Sequence, residues 1–202
     1  MKKTAITPFS QELDSWLKSR HPKTIAGLVQ AAGEKSFALI FVVLMCIPAL
    51  PLPTGGVTHV FEAIVLLLAL ELVIGRRTIW LPQKWLHKPL GKTIQKRTLP
   101  YLIRKVRWLE KYSRPRFGHI MTNREFLRLT GLLVMAGTLG AFLAPPFSGL
   151  DTLPALGVVT LSLGVILEDT LVYVAGIIIG AFGIFLEIGL GAIIVEAAQK
   201  LF

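Results

Sequence analysis

Thr58, His59 and Glu62 stand out because the segment around them is otherwise built for lipid. The string CIPALPLPTGGVTHVFE, from Cys46 to Glu62, interrupts an apolar run with prolines and a glycine pair, then resumes as a helical pattern. Spacings of three and four residues put His59 and Thr58 on the helical face of Glu62. A carboxyl beside an imidazole is a proton-handling pair, with Glu62 taking a proton or receiving a hydrogen bond from His59. The plainer reading is a set of polar side chains facing a water-filled cleft. Which one applies depends on depth, because a charge at the centre of a membrane helix costs about 2.5–3.5 kcal/mol even on the lenient insertion scale.

A second polar step, Asp151 and Thr152 ahead of Pro154, follows a second break. It reads as an ordinary helix start, or as a helix N-terminus whose positive dipole end faces an anion such as phosphate. Glu71 lies nine positions past Glu62 and out of phase with it, so it is expected to pair with Arg76 and Arg77. Glu168 and Asp169 close the second apolar half, and Glu187 stands alone in the last apolar run. Four histidines are scattered, and no metal-ligand spacing, nucleophile elbow or phosphate loop is present. An enzyme is therefore not expected, and no cofactor is implied.

Those groups need helices to hold them. Residues 24–35 read as a short amphipathic helix, and residues 36–50 as about fifteen apolar residues, roughly 22 Å and short of a bilayer. Residues 57–74 are long enough for one thin crossing. PLPTGG then has to lie at the aqueous surface as a turn, or inside the membrane as a re-entrant tip sheltered by protein. Pro51, Pro53, Gly55 and Gly56 form this first break, and Pro145, Pro146 and Gly149 the second. A shift of 93 residues sets Pro53 on Pro146 and Gly56 on Gly149, and a shift of 92 sets Ala63 on Ala155, Val73 on Val165 and Ile74 on Ile166. An internal duplication is the expectation, and paired broken segments of this kind point to a transporter site.

The expected class is an all-α membrane protein of two related helix-break-helix units. Residues 1–35 form a polar leader with no apolar core of a signal peptide, expected to be kept and to lie in the cytoplasm. Residues 36–74 and 129–169 are the two hairpin units, 75–128 a basic cytoplasmic or interfacial segment, and 170–202 a C-terminal transmembrane helix. There Gly176, Gly180 and Gly183 mark a close helix contact, within the chain or across a homodimer. Hydrophobic residues make up 53% of the 202 and charged residues 17%, with a net charge of +10. Fifteen of the 22 Lys and Arg residues fall between Gly75 and Arg128, against Glu110 and Glu125 alone. Interleaving of charge with membrane-length apolar runs argues against nucleic acid and for anionic lipid. Leu99, Leu102, Ile103, Val106 and Leu109 recur at helical spacing beneath Arg104, Lys105, Arg107 and Lys111, as in a helix lying on a membrane surface. Trp80 and Trp85 look like interfacial anchors. Cys46, the single cysteine, is expected as a small core residue.

At LPLPTGGVTHVFEAIVLLLALELVIGRRTIWLPQKW and APPFSGLDTLPALGVVTLSLGVILEDTLV the chain resembles the ExoD family of bacterial membrane proteins, a likeness extending over about residues 24–200. The resemblance implies a multi-pass inner-membrane protein linked to exopolysaccharide synthesis, and it supplies no catalytic residues. The first functional expectation is a transporter or flippase-like carrier of an anionic or lipid-linked substrate, such as a lipid-linked saccharide or a small anion. Thr58, His59 and Glu62 would form one wall of its site, and Asp151 and Thr152 the other. A proton- or cation-coupled exchanger working through Glu62 is the alternative, and a non-transporting scaffold for polysaccharide assembly a further one.

Overall fold

The computed structural model describes residues 8–20, 22–51, 57–80, 87–92, 94–113, 123–145 and 148–201, with side chains described through residue 190. Pro53, Gly55, Gly56, Trp85 and Pro146 lie outside these. All regular structure among the described residues is helical: α1 (Phe9–Lys18), α2 (Ile25–Ala32), α3 (Ser36–Met45), α4 (Val57–Ile74), α5 (Leu99–Tyr112), α6 (Arg124–Leu143), α7 (Thr152–Leu167) and α8 (Thr170–Leu201).

Local chemistry accounts for several of the boundaries. Thr24 Oγ1 accepts the Gly27 N–H at 3.1 Å and starts α2. Asn123 caps α6 through the Glu125 N–H. Glu168 ends α7 in the left-handed region, with φ at 55°, and Asp169 Oδ1 then accepts the Leu171 N–H at 3.0 Å to open α8.

The arms before the breaks are longer than the sequence suggested. A short 3₁₀ turn at Gly33–Lys35 joins α2 to α3, and the combined Ile25–Met45 stretch is long and apolar enough to cross a membrane. So are Arg124–Leu143 and Thr170–Leu190. The second arm gains its length because α6 begins at Arg124, so its first turn carries charges that an apolar count leaves out. Arm length therefore no longer argues for tips that halt inside the bilayer. Cys46 is also corrected. It is exposed beside Ile47, one residue on from buried Met45, because a helical step of about 100° turns it away from the core.

α7 is the central helix. Ala155, Val158, Leu161, Ser162, Val165 and Ile166 are all buried, and α3, α6 and α8 pack around them. α4 packs along α6 and also against α3. Each arm of one hairpin thus meets both its own partner and the opposite arm of the other hairpin. The outward surfaces of α4, α6 and α8 expose Val60, Ile64, Leu67, Ile74, Leu129, Leu132, Leu143, Leu171, Ile178, Phe182, Phe185 and Ile188. An apolar surface that extensive is stable against lipid, not water.

The two ends of the bundle differ in charge. At one end Lys35 pairs with Glu168 at 2.8 Å and Arg77 with Glu34 at 3.6 Å. Arg124 and Arg128 crowd Gly75, and Arg76 lies over the exposed Trp80 ring. Glu71 accepts the Trp80 N–H at 2.9 Å, which takes the place of the expected pairing with Arg76 and Arg77. α1 and α5 sit together at this basic end. The Ser10 N–H and hydroxyl both bond the Glu110 carboxylate, and Arg107 reaches Asp14 at 3.1 Å. Hydrogen bonds from Lys18 and then Arg107 hold the Asp14 carboxyl below its ordinary range. Leu99, Ile103 and Val106 are buried, the last two in one core cluster with Phe9 and Leu13 of α1. The apolar stripe of α5 is thus covered by protein and not by membrane.

Also toward this end, Thr130 Oγ1 bonds the Phe126 carbonyl at 2.9 Å and the Tyr173 hydroxyl at 3.0 Å. Removing the phenol leaves the threonine proton satisfied, whereas removing the threonine strands a buried hydroxyl. Tyr173→Phe is expected to cost about 1 kcal/mol and Thr130→Val about 1–3 kcal/mol in detergent denaturation. An equal cost for the two would refute this division of roles.

Candidate functional site

The other end of the bundle, where both breaks lie, carries the polar cluster. α4 starts after the first break, so Glu62 falls in its second turn, on a helix that packs against α6 and α3. Glu62 is 0% exposed, and its Oε2 sits 2.7 Å from His59 Nδ1. The spacing of three residues expected from sequence is what closes this bond. Oε1 has no hydrogen-bond partner among the described residues. His59 keeps 32% of its side chain exposed, with its ring 5.2 Å from that of Phe142 on α6 in an edge-to-face contact. The imidazole therefore stands between the surroundings and a carboxyl that has no exposure of its own. Thr58 is buried one residue earlier.

The second wall comes from α7 and α8. Asp151 occupies the N-cap position of α7 without a side-chain capping bond, and Thr152 opens the helix. Asp151 lies close enough to His59, Glu62 and Glu187 for their charges to interact. Gly149, with φ at +71°, turns the second break into α7, and Ser148 Oγ bonds the Pro145 carbonyl at 2.7 Å. Pro51, Pro145 and Gly149 are all exposed at the chain breaks. Of the two sequence-predicted walls, the structure thus brings Asp151 into the neighbourhood of His59 and Glu62. Glu187 joins them from α8, beside Gly140 of α6, and Phe142 joins from α6. Neither was legible as a site residue, since Glu187 follows Asp151 by thirty-six positions and only the packing of α8 on α7 brings it back.

Three carboxyls and one imidazole make this an acidic site. Among the described residues no three of these groups are close enough to hold a metal ion. The arrangement can pass a proton between its exposed imidazole and its enclosed carboxyl. Where these carboxyls are ionised, they repel an anion. Deeper on α6, Thr138 Oγ1 is likewise buried with no hydrogen-bond partner among the described residues.

The family model for ExoD, described as exopolysaccharide synthesis, matches residues 9–188. An uncharacterised protein of Synechocystis sp. is 32% identical over 176 residues, covering 84% of this chain and 80% of that protein. Protein ExoD of Rhizobium meliloti is 31% identical over 156 residues, covering 76% of this chain and 64% of that protein. This chain thus spans just under two thirds of the Rhizobium protein. No solved structure matches.

Proposed function

The chain belongs to the ExoD family of exopolysaccharide-synthesis proteins, and from that premise we propose a non-enzymatic membrane carrier driven by protons through His59 and Glu62. In this reading Glu62 accepts a proton by way of His59 on the break side and releases it as an envelope substrate moves. The observation that carries the reading is the Glu62 carboxyl, fully enclosed, with one oxygen on His59 and the other without a partner among the described residues. A purely structural carboxylate at such a position would have both oxygens satisfied. Of the two carrier readings, the acidity of the site favours the proton-coupled one. A lipid-linked saccharide then meets the protein through its uncharged part, or away from these carboxyls.

The basic end faces the cytoplasm in this proposal, because short loops rich in Lys and Arg stay on that side of the inner membrane. The two hairpins then run in the same orientation, and their paired contacts support an ancestral duplication. Both breaks lie at the periplasmic margin. In a Cys46→Ala background, Ser148→Cys is expected to react with a membrane-impermeant maleimide added to intact cells whose outer membrane has been permeabilised. Labelling only after the inner membrane is opened would reverse the orientation and remove the periplasmic entry to His59.

Function is tested by restoring polysaccharide output in a strain lacking the gene. The wild-type chain restores output, and a variant that cannot carry a proton at position 62 does not, at equal membrane abundance. A scaffold would tolerate that variant.

A further inference from the structure

We propose that the outward face of α5 is a binding site for the phosphate headgroup of an anionic membrane lipid. The apolar stripe of this helix is taken up by α1, so what it presents outward is the opposite side: Tyr101, Arg104, Lys105 and Trp108. These residues, with Leu109, line an open cavity of about 450 Å³. Tyr101 is 54% exposed and Trp108 58%. The Arg104 guanidinium lies 5.8 Å and the Lys105 ammonium 5.5 Å from the centre of the same Tyr101 ring.

Two neighbouring cations drawn to one ring repel each other, and no carboxylate among the described residues offsets that. Five other described cations of the basic end do have a carboxylate: Lys18 and Arg107 share Asp14, Lys35 has Glu168, Arg77 has Glu34 and Arg128 has Glu125. Arg104 and Lys105 have no carboxylate within ion-pair distance among the described residues. A doubly cationic hollow walled by aromatic rings is complementary to a phosphate with a glycerol body attached. The guanidinium can offer two parallel N–H donors, the ammonium a point charge, and the rings an amphipathic wall.

Position selects a lipid over a soluble phosphate. The hydroxyl of Ser113, one residue beyond α5, bonds Asp169 at 3.1 Å, where α7 ends and α8 begins. The exposed apolar belt of α8 begins two residues further on, at Leu171. The C-terminal end of α5, and with it the Trp108 side of the hollow, therefore stands near the level where headgroups meet the bundle, the depth that exposed Trp side chains prefer.

Native mass spectrometry of the full-length protein in detergent, titrated with phosphatidylglycerol or phosphatidylcholine, tests the assignment. The wild-type chain is expected to retain phosphatidylglycerol about tenfold more strongly than phosphatidylcholine, and Arg104→Gln with Lys105→Gln to erase that preference. Lys111→Gln, an exposed charge on the same helix outside the hollow, is expected to keep it. Tyr101→Ala is a second variant that leaves the net charge unchanged and should weaken retention severalfold. Equal retention of the two lipids by the wild-type chain would overturn the site. So would an unaffected double variant, an equal loss in Lys111→Gln, or displacement of the lipid by millimolar inorganic phosphate, which marks a general anion trap.

Discussion

Glu62→Gln is expected to reduce exopolysaccharide output to that of a strain lacking the gene, while the purified protein melts at the same temperature as the wild-type chain or higher. The two halves of this result come from the same geometry. An amide fits the space of the carboxyl and its oxygen still accepts a hydrogen bond from His59 Nδ1, so the contact seen at 2.7 Å can survive the change. What is lost is the ability to bind and release a proton. What is gained is relief from enclosing an ionisable group that has no exposure of its own. A carboxylate kept for the charge it lends the fold would behave in the opposite way, losing stability when made neutral while polysaccharide output persisted at equal membrane abundance. Glu62→Leu separates the effects further: it also removes the partner of His59, and is expected to lose activity to the same degree with little change in membrane insertion. The decisive spectroscopic readout is difference infrared spectroscopy across a pH step, in which a carboxylic acid band present in the wild-type chain is absent from Glu62→Gln. Normal polysaccharide output from Glu62→Gln would end the proton-carrier proposal, whatever its stability.

The His59–Glu62 pair was legible in the sequence because it is local. Three residues on a helix suffice to bring an imidazole to a carboxyl, and no knowledge of the rest of the fold is needed. Asp151 could be identified as a helix start for the same reason, from Pro154 and the break before it. Its place opposite Glu62 was expected from the paired breaks, and it holds because the starts of α4 and α7 lie at the same end of the bundle. Glu187 was read as isolated, and only α8 folding back along α7 makes it a member of the cluster. The amphipathic pattern of α5 was correct in phase and incomplete in partner: periodicity says that Leu99, Ile103 and Val106 share a face, but not whether lipid or α1 covers it. Arm lengths were underestimated where a helix starts in charged residues, as α6 does at Arg124, or continues through a 3₁₀ turn, as α2 does into α3. Hydropathy counts apolar residues, whereas a helix is bounded by its caps.

Gly176 and Gly180 form one small-residue motif, four positions apart, yet substitution is expected to affect them very differently. A methyl group added at Gly176 would lie 2.2 Å from the Leu161 backbone nitrogen, and one at Gly157 would lie 2.4 Å from the Gly180 Cα. At Gly180 the nearest atom to such a methyl is the Gly157 Cα at 3.6 Å, an ordinary contact. The first two clashes are against backbone, so no rotamer change can relieve them, and α7 and α8 must separate along a seam that also includes Gly164, Gly183 and Pro154. Overpacking typically costs 1–3 kcal/mol, and backbone against backbone belongs at the upper limit. Gly176→Ala and Gly157→Ala are therefore each expected to cost about 3 kcal/mol. That is roughly 6–12 °C in melting temperature for a chain of this size. Gly180→Ala should stay within about 2 °C of the wild-type chain on the same scale, and Gly189→Ala, with open space around it, should be silent. The ordering also bears on what this face of α8 does. Gly176, Gly180 and Gly183 are occupied within the chain by α7, the first of the two uses their spacing allowed. If a second copy packed there instead, Gly176 and Gly180 would respond together and the loss would appear as dissociation at unchanged monomer stability. Thermal melting and size-exclusion profiles of the same four variants separate the two cases, because only the within-chain seam spares Gly180.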